Sequence, residues 1–96
     1  MSEFGRTPTI NRNMGRDHWS RAWSVALGGC GIHGGAVVGA TNANGTAVTD
    51  RQVNGGHLFH TYFRSLGLDP RRNHYHNGRP IAMADPQADA IREILA

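Results

Sequence analysis

Between Gly56 and Gly67, the apolar residues Leu58, Phe59, Tyr62, Phe63 and Leu66 recur at spacings of three and four positions. That interval stacks side chains on one face of an α-helix. The spacing therefore predicts a helix over residues 55–68 with its aromatic face in the core. Its exit is also specified: Gly67 suits a left-handed position after the last turn, Leu68 can fold back over it, and Asp69-Pro70 stops continuation.

Elsewhere the apolar runs are shorter and punctuated by glycine. Trp23-Ser24-Val25-Ala26-Leu27 ends at Gly28-Gly29 and predicts a strand running into a turn. Ala36-Val37-Val38-Gly39-Ala40-Thr41 and Thr46-Ala47-Val48-Thr49 flank Asn42-Ala43-Asn44-Gly45, which predicts a hairpin, so residues 22–54 read as strands and hairpin. Asn77-Gly78-Arg79-Pro80 reads as a turn or loop. Asp85-Pro86 then offers a helix cap with proline at the first helical position, and Ile91, Ile94 and Leu95 give a terminal helix over 85–95 one apolar face. Residues 1–21, dense in Gly, Pro, Asn, Arg and Asp, read as a loop. The expected class is α/β, with short strands, a glycine-rich hairpin region and two short helices.

Composition changes this picture in one respect. The chain has 96 residues, of which 13 are glycine and one is cysteine, so its core is thin and no internal disulfide reinforces it. The expected support is missing N-terminal polypeptide or a homo-oligomeric partner. The formal charge is +3, but the ten basic residues are scattered, with only Arg71-Arg72 adjacent; the expected partners exclude nucleic acid, which asks for a basic face. No apolar run approaches the roughly 20 residues of a membrane-spanning segment.

Candidate chemistry centres on Gly15-Arg16-Asp17-His18-Trp19, which sets a carboxylate beside an imidazole in a non-helical segment. Asp17 and His18 suit a first-row divalent metal; in the plainer alternative Asp17 accepts backbone hydrogen bonds or fixes the His18 tautomer. Arg6 and Arg16 can neutralise a substrate oxyanion through their planar donor forks, or can be surface arginines. The run Gly28-Gly29-Cys30-Gly31-Ile32-His33-Gly34-Gly35 matches neither of the common nucleotide-binding loops. Cys30 reads as a small thiol rather than a nucleophile served by His33. His57 and His60, three apart, can face one metal but have no acidic partner on the helix, and His74 and His76 can share one extended face.

Three stretches carry a resemblance: Glu3-Phe4-Gly5-Arg6-Thr7-Pro8, Gly15-Arg16-Asp17-His18-Trp19, and Ala26-Leu27 continued through the glycine-rich run to Val38-Gly39-Ala40-Thr41. They resemble the C-terminal part of a bacterial family catalogued as domain of unknown function 1501, which is itself similar to the sulfatase and alkaline phosphatase superfamily. The segment from Gly56-His57-Leu58 to Leu66-Gly67-Leu68-Asp69-Pro70 is similar to that family's late helix and its exit.

The resemblance implies that residues 1–96 are the C-terminal portion of one larger α/β domain, with 1–21 as a site loop. It implies that Asp17 and His18 contribute to a two-metal centre acting on phosphate or sulfate esters; by the chemistry of the donors, zinc or manganese suits that pair and Arg6 or Arg16 would stabilise the substrate oxyanion. The nucleophile and remaining ligands would lie on other polypeptide, so the chain alone is expected to lack a complete active site. A periplasmic or exported parent protein is implied as well. Trp19 and Ser20 depart from the glycine that many superfamily enzymes carry after Asp-His, which alters the expected pocket. The alternative is a non-catalytic structural or binding module.

Overall fold

Among the described residues each strand pairs with its neighbour in sequence, so the sheets are three separate antiparallel ribbons. The computed structural model describes residues 1–95, a mixed α/β arrangement of short strands and one main helix that divides into two units.

The first unit comprises Met1–Leu27 and Val38–Gln52. Strand β1 (Gly5–Arg6) pairs with β2 (His18–Trp19), placing Gly5 opposite Trp19 and Arg6 opposite His18. The predicted hairpin is present as β3 (Ala40–Thr41) and β4 (Val48–Asp50), with a register shift between Ala40 and Thr41. Asn42 organises its loop: the side-chain oxygen accepts from the Thr46 amide at 2.9 Å, and the Asn42 amide donates to the Ala47 carbonyl at 3.0 Å. The Trp19 indole then donates to the Thr46 carbonyl at 2.7 Å, tying the two ribbons together. Gly5 is buried where the chain crosses itself; a Cβ there would stand 2.6 Å from the Ala22 carbonyl oxygen and 2.7 Å from the Trp23 Cβ.

The strand expected at residues 23–27 does not form. A strand needs a neighbour's N–H and C=O groups, and no other described segment supplies a backbone ladder there.

The second unit comprises Gly28–Val37 and residues 53–95. Its helix α1 spans Gly55–Ser65. Asn54 caps it reciprocally with His57: the Asn54 side chain accepts from the His57 amide at 3.1 Å, and His57 Nδ1 accepts from the Asn54 amide at 3.0 Å. At the other end the predicted exit is realised as a Schellman motif, with Gly67 at φ 80°. The Leu68 amide reaches the Phe63 carbonyl at 2.8 Å and the Gly67 amide that of Arg64 at 3.0 Å.

A second hairpin, β5 (Asn73–His76) and β6 (Arg79–Ala82), occupies what reads from sequence as loop. Asn77 and Gly78, at φ 50° and 77°, form the tight turn that joins them. All eight strand residues are exposed.

The core of this unit meets α1 on a different side from the one its apolar spacing predicts: Leu58, Tyr62 and Phe63 are only part-buried. His60 and Thr61 are buried, whereas Phe59 is 51% and Leu66 62% exposed. The buried side is covered by the chain after residue 83, which brings small residues close to the helix: Ala84, Ala88, Ala90, Ile91 and Ile94 are all buried. Gly56 allows that approach, because a Cβ on it would lie 2.9 Å from the Ala88 Cβ. Two polar staples hold the seam. His60 Nε2 donates to the Asp85 carbonyl at 2.7 Å, and the Ile91 amide donates to the Thr61 hydroxyl at 2.9 Å, which itself donates to the His57 carbonyl at 2.7 Å.

Those staples explain why the predicted terminal helix over 85–95 is absent and only a 3-10 turn at Arg92–Ile94 forms. The amides that a helix would direct to carbonyls four residues back are taken elsewhere. The Asp85 carboxylate accepts the Gln87 amide at 2.9 Å, the Asp89 carboxylate accepts the Ala90 amide at 2.8 Å, and Thr61 holds that of Ile91. The segment ends against the glycine-rich stretch, where Ile32 bridges Leu95 and the His33 amide donates to the Ile94 carbonyl at 2.9 Å.

Candidate functional site

Asp17 and His18 stand at the entry of β2, and the loop between β1 and β2 fixes them through its own polar atoms. Thr7 brackets Asp17: its amide donates to the Asp17 carbonyl at 2.9 Å, and its hydroxyl accepts from the Asp17 amide at 3.1 Å. The loop tip is organised by Asn11, whose side-chain oxygen accepts the amides of Asn13 at 2.9 Å and Gly15 at 3.0 Å. Its side-chain nitrogen donates to Asp17 Oδ1 at 2.9 Å. Asn11 thus orients the carboxylate and shapes the loop at once.

The imidazole is fixed differently. Its ring lies 3.9 Å, centroid to centroid, from Phe4 at an interplanar angle of 30°. Both Asp17 and His18 are exposed, and Asp17 Oδ2 and both His18 ring nitrogens lie outside the hydrogen bonds found among the described residues.

Arg6 and Arg16 lock the same loop. Arg6 Nη1 donates to the Arg16 carbonyl at 2.9 Å, while Arg16 donates through Nε to the Thr7 carbonyl and through Nη2 to the Arg6 carbonyl at 3.4 Å. A guanidinium has five N–H donors, so each retains some beyond these contacts. Both side chains remain exposed beside the Asp17 loop.

The donor set fits a borderline divalent metal in kind, a carboxylate oxygen and an imidazole nitrogen, but not in number. Among the described residues no group of three or more His, Cys, Asp and Glu side chains is placed to hold a metal ion. The other histidines have separate tasks. His57 spends Nδ1 on the cap of α1, and the buried His60 spends Nε2 on the Asp85 carbonyl while its Nδ1 stays buried without a hydrogen-bond partner. His74 and His76 share a face of β5, opposite Ile81 and Arg79. Cys30 is exposed in the tight turn that the Ile32 amide closes on the Gly29 carbonyl at 2.9 Å.

Sequence reasoning passes over Asn11 and Thr7. The available signal is Asn11 four residues before Gly15, the spacing of a side-chain-capped loop, and a threonine that can pair with the strand returning beside it.

One protein-family pattern covers residues 1–95, which includes the Asp17 loop, the glycine-rich stretch and α1. The chain belongs to the family described as Protein of unknown function (DUF1501). No curated protein and no solved structure matches the chain. The span of the DUF1501 match means that the loop holding Asp17 and the seam beneath α1 both belong to the family segment.

Proposed function

We propose that this DUF1501 chain is part of a metal-dependent hydrolase domain of the sulfatase or phosphatase type, with Asp17 and His18 as two ligands of a zinc or manganese centre. The observation that carries the reading is the exposed, pre-oriented Asp17-His18 pair: Asn11 fixes one carboxylate oxygen at 2.9 Å while the other stays available. The likeness of the Asp-His loop to the sulfatase and alkaline phosphatase superfamily gives the reaction class. A bound divalent ion would supply Lewis-acid polarisation of the ester or an activated water.

The chain's own residues do the positioning. Thr7 and Asn11 hold Asp17, the Phe4 ring holds His18, and the remaining N–H groups of Arg6 and Arg16 are suited to an oxyanion. Two ligands do not complete a coordination shell, so the reading requires polypeptide beyond the described residues and gives the chain alone no complete active site.

In a polypeptide that supplies the remaining ligands, Asp17→Ala and His18→Ala are each expected to weaken zinc or manganese binding at least about tenfold. The loss is read as metal retained after dialysis, together with hydrolysis of phosphate and sulfate monoesters. Full metal content in both variants overturns the proposal.

A second reading, a non-catalytic structural module, is favoured by a specific observation: Asp17, Arg6 and Arg16 all hydrogen-bond within the loop itself. Asp17→Asn separates the two, since it keeps an acceptor for Asn11 but removes the anionic ligand. A structural role leaves the loop's stability nearly unchanged and shows no metal to lose.

A further inference from the structure

Asparagine followed by glycine occurs three times in this chain, at Asn44-Gly45, Asn54-Gly55 and Asn77-Gly78, and the fold treats the three steps differently. At the first, the Gly45 amide donates to the Asn42 carbonyl at 3.0 Å, and Gly45 is half-buried, with Pro8 Cγ 3.7 Å from where a Cβ would stand. At the second, the Asn54 side chain is the cap of α1, its oxygen accepting the His57 amide at 3.1 Å while the Asn54 amide donates to His57 Nδ1 at 3.0 Å. At the third, Asn77 and Gly78 are both exposed in the β5–β6 turn. Among the described residues neither the Asn77 side chain nor the Gly78 amide has a hydrogen-bond partner, and a Cβ on Gly78 would meet nothing within 4 Å.

We propose that Asn77 is a self-modification site, at which the Gly78 amide nitrogen closes on the side-chain amide and water completes conversion to aspartate and isoaspartate. The Gly78 nitrogen gives up its proton to base and bonds to Asn77 Cγ; the Cγ–Nδ2 bond breaks, and Nδ2 takes up a proton and leaves as ammonia. Water then opens the five-membered imide at Cγ, which gives isoaspartate or aspartate according to whether the main chain stays joined through Cγ or returns to the main-chain carbonyl carbon. Water is the only co-reactant, and nothing is oxidised or reduced. A hydrogen bond on the attacking N–H or on the side-chain amide opposes the first step, and of the three sites Asn77 alone has neither.

The turn lets the closing atoms approach. Asn77 stands at φ 50°, a left-handed conformation that costs a non-glycine residue free energy, so rotation out of it runs with the residue's own preference. What resists is the β5–β6 ladder, whose eight residues are all exposed, and a two-stranded ribbon is marginally stable by itself. At Asn44 the same motion breaks a loop hydrogen bond, and at Asn54 it undoes the cap of α1. The products differ in consequence. Aspartate before glycine suits the same turn but brings a negative charge into residues 70–84, which hold Arg71, Arg72 and Arg79 and no acid. Isoaspartate routes the main chain through its own Cβ, which lengthens the turn and disturbs the strand register that the turn fixes.

The purified chain is held in mildly alkaline buffer, sampled over weeks and digested, and the three Asn-Gly peptides are read by mass spectrometry, with fragmentation separating aspartate from isoaspartate. Asn77 should convert about three- to tenfold faster than Asn44 or Asn54, the factor that one hydrogen bond on a reacting group imposes. In guanidinium chloride strong enough to unfold the chain that margin should collapse, because the three steps then share a solvated backbone. An Asn77 that stays unreacted in the folded chain, or is matched by either of the others, overturns the proposal. A preference for Asn77 that persists unchanged in the unfolded chain overturns it too, since the neighbouring sequence and not the fold would then set the order.

Discussion

The two units of this chain are held together by different means. In the unit of residues 1–27 and 38–52, order comes from polar atoms of loops: Asn11 and Thr7 around Asp17, the paired Arg6 and Arg16, and Asn42 within its hairpin. Ala22 and Gly5 are buried there. In the unit of residues 28–37 and 53–95, order comes from a capped helix pressed against a run of small residues, with Thr61 and His60 as staples. The contrast teaches where a thin chain can place chemistry. A loop that spends its polar atoms on its own shape presents a carboxylate and an imidazole in fixed positions without a large core beneath them.

The sharpest way to break the contrast is at Gly5. A methyl group there meets the Ala22 carbonyl oxygen at 2.6 Å, and a backbone atom cannot rotate away as a side chain can. Gly5→Ala should destabilise the first unit by about 3 kcal/mol, the upper end for overpacking. Hydrogen exchange should speed up at the Thr7 and Asp17 amides, which bond across the β1–β2 ribbon, while amides of α1 keep their protection. Equal acceleration in both units would show that they unfold as one and that the contrast has no energetic counterpart.

Thr61 tests the other side. Its hydroxyl is the acceptor for the buried Ile91 amide and a donor to the His57 carbonyl. Thr61→Val keeps the shape but strands that amide, and should cost about 1–3 kcal/mol. Thr61→Ser retains the hydroxyl and should cost less. Chemical denaturation of the two variants, with exchange at the Ile91 amide as the local probe, separates the staple from simple packing; a larger loss in Thr61→Ser than in Thr61→Val would assign the effect to the missing methyl.

The same seam explains what the sequence makes legible. Helix α1 and its exit are readable because spacing, the Gly67 turn and Asp69-Pro70 act within a few residues of one another. The Asn42–Gly45 hairpin is readable for the same reason, and Asn77-Gly78 carries an equal signal for the β5–β6 hairpin, whose polar and proline-containing strands hide it. The direction α1 faces is not readable, because it depends on Thr61 meeting Ile91 thirty residues away and on Gly56 admitting Ala88. The terminal helix fails through competition by the Asp85 and Asp89 side chains for backbone amides, which helical spacing does not register. At the candidate site, the Asp17-His18 pair stands out by residue type, but its positioning by Asn11 and Thr7 is a matter of loop geometry.

Asp89 offers the finest distinction between the two kinds of support, because this one carboxylate brings loop-style polar bonding into the helical unit. The Ala90 amide, donating at 2.8 Å, is the main reason its carboxyl is held below the ordinary value of 3.8, and Arg92 at 2.8 Å and Arg71 at 3.8 Å act in the same direction against partial burial. A carboxyl whose folded value is depressed favours the folded state once pH is above its unfolded value. That contribution disappears as pH falls through the folded value. The stability gap between the native chain and Asp89→Asn should therefore be present near neutral pH and close as pH falls below the ordinary carboxyl value of 3.8 and on through the lower folded value, measured by thermal melting. Added salt should shrink only the arginine share of the gap. If salt removed the whole gap, the arginines rather than the Ala90 amide would be the principal support, and the strap after residue 83 would owe its shape to charge instead of to backbone bonds.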